Sequence, residues 1–153
     1  MNKIAKFEKI NIENFIQTLL IDFPDFTEDD ARKIYDDIKL PKRATKFSAG
    51  YDFYAPFDFA LKPNEIIKIP TGIRVKIDND YALFMFPRSS LGFKYRLQLN
   101  NTVGIIDADY YNSDNEGHIF VKLTNDTKED KKVMIKKGEA FCQGIFLNYG
   151  ITI

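Results

Sequence analysis

The chain has 153 residues, enough for one domain with a buried core. Basic and acidic residues number 22 each, so no net positive field exists to hold the protein on nucleic-acid phosphate. With 44% hydrophobic and 29% charged residues the chain is not mainly disordered, and no apolar run approaches the ~20 residues of a membrane span.

Residues 3–10 alternate loosely between polar and apolar and predict a short strand. Asn11 offers an N-cap, and Ile12, Phe15, Ile16, Leu19 and Leu20 recur at helical spacing up to the break at Asp22-Phe23-Pro24. Thr27 offers a second N-cap with Asp30 in capping-box position, ahead of the apolar stripe Ala31, Ile34 and Ile38; Pro41 ends the helix. Residues 1–40 therefore read as a strand and a helical pair in front of a separate unit at 41–153. In that unit short apolar runs at 51–60, 65–69, 72–77, 81–86, 96–106, 117–124, 132–135 and 139–147 are separated by turn signals such as Lys62-Pro63-Asn64 and Asp78-Asn79-Asp80. Many short strands at near-regular spacing predict a sandwich, jelly roll or barrel. The mixed-sign cluster Lys128–Lys132 reads as a solvated hairpin turn.

The N-terminus lacks the apolar stretch of a signal peptide, and a single cysteine, Cys142, permits neither an intrachain disulfide nor a four-cysteine zinc site. Both set the expectation of a reducing cytoplasm. Only five of the 22 basic residues are Arg, so an Arg in a tight motif stands out for its planar fork of donors.

Four segments concentrate polar and glycine residues among the strands: Arg43–Asp52, Pro87–Gly92, Asn101–Tyr110 and Lys137–Gln143. In Pro87-Arg88-Ser89-Ser90-Leu91-Gly92 a guanidinium and two hydroxyls after a strand make either an anion site or an ordinary polar turn. Asp107 follows two β-branched residues and reads as a general base, a metal ligand, or a turn-former. Asp109 shares its face if the strand continues. His118 starts a strand with no triad signature around it and reads as structural or exposed. Cys142, in an apolar strand, reads as a buried inert thiol.

In their order and spacing these segments resemble the four motifs of the trimeric dUTPase family (dUTP diphosphatases), over about residues 41–149. Arg43-Ala-Thr…Ser48-Ala-Gly-Tyr-Asp52 resembles the first, Pro87-Arg-Ser-Ser-Leu-Gly92 the second, Gly104-Ile-Ile-Asp-Ala-Asp-Tyr110 the third and Gly138-Glu…Gln143 the fourth. The resemblance implies a mainly β, jelly-roll β-barrel behind the N-terminal helical pair, a homotrimer with sites between subunits, and hydrolysis of dUTP to dUMP and pyrophosphate with Mg²⁺. It implies Asp107 as the base that activates water. Uracil would be held by Asn101 and the backbone around Ile105 and Ile106, with Phe120 adding a backbone contact. Tyr110 would pack on the deoxyribose. Arg88, Ser89, Ser90 and Gln143 would hold the phosphates, and Asp52 would act on Mg²⁺ through water. A hairpin backbone can match uracil's acceptor–donor–acceptor edge, while cytosine would set donor against donor.

The sequence departs from the family pattern at Ser90, where Gly is usual, and at Ala140, where Arg is usual. The segment from Tyr111 to Glu116 is about five residues longer than the common form, and the helical pair is an addition. The family's glycine-rich fifth motif is not found before Ile153, which sets an expectation of selective binding with slow turnover. Two other readings follow from these features. One is a dUTPase-like nucleotide-binding regulatory module with weak or no catalysis. The other is a dCTP deaminase, which shares Arg-Ser-Ser but needs a Glu where Lys122 stands.

Overall fold

Local chemistry at the N-terminus produces the helical pair as expected. A computed structural model describes residues 1–153. After strand β1 (Ala5–Lys9), the Asn11 side chain accepts from the Glu13 and Asn14 N–H groups and starts α1 (Ile12–Asp22). Thr27 and Asp30 form the reciprocal capping box of α2 (Glu28–Asp37). Those two bonds hold the Asp30 carboxyl below its ordinary pKa. The second helix stops at Asp37, before Pro41, with Ile38 at its cap. Phe15, Ile16 and Leu19 of α1 and Ala31 and Ile34 of α2 are buried in the same apolar core as the strands. The Tyr35 hydroxyl fastens the pair by donating to the Ile10 carbonyl at 2.6 Å.

The rest is mainly β and jelly-roll-like. Strands β2 (Lys42–Arg43), β3 (Tyr51–Tyr54), β4 (Phe59–Leu61), β5 (Ile66–Pro70), β6 (Ile73–Ile77) and β7 (Tyr81–Pro87) are followed by helix α3 (Ser89–Tyr95). Then come β8 (Leu97–Leu99), β9 (Gly104–Ile106), a 3₁₀ turn (Ala108–Asn112), β10 (Phe120–Asn125), β11 (Val133–Ile135) and β12 (Ala140–Asn148). The largest ladder is a five-stranded sheet in the order β2-β3-β12-β7-β9; the others are β5-β10-β8, β1-β6 and β11-β4. Phe53, Leu83, Met85, Phe141 and Cys142 point from the large sheet into the core.

Four readings of the strand pattern need correction. The run 51–60 is two strands, interrupted at Ala55-Pro56-Phe57-Asp58 where proline cannot donate to a ladder. The run 96–106 is likewise two, because the chain turns at Asn100–Val103 with Thr102 at φ 68°. Residues 128–132 are no hairpin: β10 pairs with β5 and β8, and β11 pairs with β4, so the segment crosses between sheets. Asp109 lies in the 3₁₀ turn and so is not one strand step beyond Asp107.

Candidate active site

Two groups of motif residues form, at opposite ends of the large sheet. In the first, Asp52 on β3, Gln143 on β12 and Phe86 on β7 sit side by side in register, so their side chains share the outer face. The Gln143 amide donates to the Pro87 carbonyl at 3.1 Å. Its oxygen fills the space over Gly50: a Cβ there would meet it at 2.2 Å, so a side chain at 50 would displace the Gln143 amide. Just beyond Pro87 the Arg88 guanidinium lies 3.5 Å from the Asp52 carboxylate. Pro87–Gly92 is not a turn. Arg88 is the N-cap of α3, and Ser89 and Ser90 stand exposed in its first turn. Leu91 and Tyr95, four apart, seat that helix on the core. The first, second and fourth motifs thus converge on one partly exposed patch with a cation, a carboxylate, an amide and two hydroxyls.

The third motif builds the second group. Strand β9 is the last strand of the five-stranded sheet and β8 the last of the three-stranded one. The two are consecutive in the chain yet do not pair with each other. Each has one edge without a strand partner, where backbone donors and acceptors are available. Asn101 lies in the connecting turn, with its amide nitrogen close to Gly104. Ile105 projects from β9 to the outer face beside Phe84, with which it is paired, and is 58% exposed.

Asp107 caps the 3₁₀ turn by position only. Its side chain makes no capping bond, and it is exposed at a cleft of about 500 Å³ shared with Phe84, Ile105, Asp109 and Tyr149. The side chain therefore does not cap the turn it precedes. Tyr110 is half-buried, its hydroxyl donating to the His118 carbonyl at 2.6 Å and accepting from the Asn115 amide at 2.8 Å. Phe120 opens β10 with its ring 4.3 Å from that of His118, centre to centre.

The two groups do not meet within one chain. Ile106 pairs with Leu83, while Arg88 follows the far end of β7, so at the rise of a strand Asp107 and Arg88 lie roughly 15–20 Å apart.

His118 is 1% exposed, and its Nε2 accepts from the Gly72 N–H at 2.9 Å. Burial, with a smaller push from Lys68, lowers its pKa to about 4. The unfolded chain takes up a proton as pH falls through 6.5, but the folded chain does so only near 4. Stability is therefore full above 6.5 and falls between those values, by roughly 3 kcal/mol in all. Urea unfolding at pH 7 and pH 4.5 is expected to show this loss in the wild type and not in His118→Gln, which keeps an acceptor without a titrating ring. An equal loss in both would assign the pH dependence elsewhere. The carboxyls of Asp37 and Asp126, held down by hydrogen bonds from Lys137 and Arg96 respectively, act at and below their ordinary value of 3.8. Cys142 is fully buried, and burial raises its thiol pKa well above the ordinary value, as the inert reading requires.

Sequence reasoning missed α3, Gly50, Arg74 and Asn115. The glycine at 92 hid the Leu91/Tyr95 spacing. Arg74, one of the few arginines in a lysine-rich chain, carried a usable signal: its side chain is 19% exposed and donates to two carbonyls, those of Tyr111 and Glu116.

A family profile described as dUTPase matches residues 36–152. A relative from Lactococcus lactis subsp. lactis, named deoxyuridine 5'-triphosphate nucleotidohydrolase, is 46% identical over 113 residues, spanning 73% of this chain and 74% of its own. One of the same name from Desulfitobacterium hafniense is 38% identical over 112 residues, spanning 71% and 70%. Among solved structures, the dUTPase from Streptococcus mutans is similar with a TM-score of 0.70 and 34% identity, over 96% of this chain and 98% of that one. A mutant dUTPase from phage phi11 of S. aureus, described with a structural Mg(II) ion, is similar in fold, with a TM-score of 0.68 at 18% identity over 99% and 94%.

Proposed function

This chain belongs to the dUTPase family, and we propose that it hydrolyses dUTP to dUMP and pyrophosphate. The observation that carries the reading is the pair of unpartnered edges of β8 and β9, with the exposed, unbonded Asp107 carboxylate directly after β9. Uracil pairs with the unpartnered strand edges beside the connecting turn, helped by Asn101 and the backbone at Ile105 and Ile106; Phe120 opens β10, the strand paired with β8. The Tyr110 ring packs on the deoxyribose where a 2'-hydroxyl would need room. Asp107 takes the proton of a water whose oxygen bonds to the α phosphorus, opposite the bridging oxygen to the β phosphorus. The P–O bond breaks, and the electron pair leaves with pyrophosphate. A positioned base of this kind contributes ~10²–10⁴ in rate.

Arg88, Ser89, Ser90 and Gln143 are proposed to hold the phosphates. The chain has no net charge to attract a triphosphate, so neutralisation has to be local. Mg²⁺ fits this donor set in one way. No group of three or more His, Cys, Asp or Glu side chains forms a cage. Asp52 offers one carboxylate beside Arg88, and Mg²⁺ characteristically keeps several waters and binds phosphate oxygens, so Asp52 would hold it through water. The ion would supply charge neutralisation on the phosphates.

A base and a phosphate clamp acting on one triphosphate must lie within a few ångströms of the same anhydride, and here they are far apart in one chain. We therefore propose that a second copy completes the site, in the homotrimer that the family resemblance implies. The outer face of the large sheet supports this: Phe84, Phe86, Ile105, Ile145 and Leu147 form an apolar surface, half-buried at Phe84, Phe86 and Ile145 and exposed at Ile105 and Leu147. We place the catalytic unit at residues 41–153 and treat residues 1–40 as its extension. No helix is long and apolar enough to cross a membrane. With one thiol, and that buried, a cytoplasmic setting is the proposal.

The test is pyrophosphate release with Mg²⁺ from dUTP, dCTP, dTTP and UTP in parallel. Release from dUTP alone is expected. Tight dUTP binding without pyrophosphate would instead establish a regulatory module.

A further inference from the structure

The segment after Tyr110, longer than the family's common form, is closely built. Asn115 is its centre. Its Oδ1 accepts from the Ser113 hydroxyl at 2.7 Å and the Gly117 N–H at 3.1 Å, and its carbonyl accepts from the His118 N–H at 3.1 Å. Because the Gly117 N–H can only donate, the amide oxygen must face it, and Nδ2 must face Tyr110. Nδ2 donates to the Tyr110 hydroxyl at 2.8 Å, and that hydroxyl in turn donates a hydrogen bond to the His118 carbonyl. The phenol oxygen is thus pinned from two sides. A tyrosine serving only as an apolar wall has no need of this, since phenylalanine offers the same ring.

Both ends of the segment are clamped by Arg74 of β6. Its Nε donates to the Glu116 carbonyl at 2.8 Å and its Nη2 to the Tyr111 carbonyl at 2.9 Å, and its guanidinium lies 3.6 Å over the Tyr111 ring. A Cβ on Gly117 would come within 2.7 Å of the Tyr111 backbone, so the segment closes tightly on itself. The Glu116 carboxylate reaches Asn11 and Asn14 at the start of α1, and the Tyr111 hydroxyl donates to Glu8 of β1 at 2.9 Å. The N-terminal extension is therefore bonded to the segment that holds Tyr110.

We propose that Asn115, on the segment clamped by Arg74, is a positioning residue that fixes the Tyr110 ring and so sets how strictly a 2'-hydroxyl is refused. This rests on the reading of Tyr110 as the deoxyribose wall. Asn115 touches no substrate; it acts by denying the ring the displacement that a ribose would require.

The experiment measures kcat and KM for dUTP and UTP in the wild type, Asn115→Ala, Tyr110→Phe, the double variant and Tyr110→Ala, with melting temperatures recorded for each. Asn115→Ala is expected to lower the dUTP/UTP ratio of kcat/KM about five- to tenfold, the size of one hydrogen bond, through a smaller KM for UTP. Tyr110→Phe, which removes only the pinned oxygen, is expected to do the same. The double variant is expected to be no worse than the stronger single one, because both remove the same Asn115–Tyr110 contact. Should Asn115→Ala fold poorly, Tyr110→Phe reports the same contact with the segment intact. A ratio unchanged within twofold in Asn115→Ala and Tyr110→Phe, whatever their melting temperatures, while Tyr110→Ala relaxes it, would overturn the proposal. An unchanged ratio in Tyr110→Ala would overturn the deoxyribose-wall reading itself.

Discussion

Asp107→Asn is expected to lower kcat for dUTP by about 10²–10⁴ while the dissociation constant for dUTP stays within a few-fold of the wild type. The amide keeps the shape of the side chain and loses its basicity. Little structural cost should accompany the change, because the carboxylate is exposed and caps nothing. Pyrophosphate release under saturating dUTP, with calorimetric titration of the nucleotide, checks both halves. Turnover near the wild-type rate would remove Asp107 from the role of base, and equal losses in binding and rate would make it a ligand contact instead.

Phe84→Asp is the second large effect. Phe84 sits at the middle of the outer face, between Ile145 on β12 and Ile105 on β9. A carboxylate there places an unpaired charge in any interface this face forms, at a cost of several kcal/mol per copy. The core is on the other side of the sheet, so the fold should persist with unchanged circular dichroism. Light scattering is expected to give a trimer for the wild type and a monomer for the variant, and, on the proposal that the site is shared between copies, dUTP turnover is expected to drop by ~10²–10⁴. A monomer that keeps its activity would place the whole site in one chain.

Much of this was legible in the sequence because it is local. Asn11 and Thr27 announce their helices through hydrogen bonds to neighbours in the chain, and both caps are present. The β-rich remainder shows in the spacing of its turns, and the four motifs mark the residues. What stayed hidden is tertiary. No pattern in 96–106 reveals that its two halves join different sheets, which leaves the edges of β8 and β9 on either side of Asn101 without a strand partner. Gly50 looks like any turn glycine until the Gln143 amide is seen against it. Arg74 is far in sequence from the segment around Asn115 whose two ends it clamps. The distance between Asp107 and Arg88 follows only from strand register, because a one-dimensional reading places consecutive motifs side by side.

That distance gives the most direct test. Two variants, Asp107→Asn and Arg88→Ala, are each expected to be nearly inactive alone. They are then mixed in equal amounts, unfolded and refolded together. If the base of one copy serves the phosphate clamp of another, random assembly leaves about one quarter of the sites with both groups intact, and about one quarter of the wild-type activity should return. No recovery in mixed assemblies whose composition is verified by mass would show that Asp107 and Arg88 act within one chain, and would contradict a site built between copies.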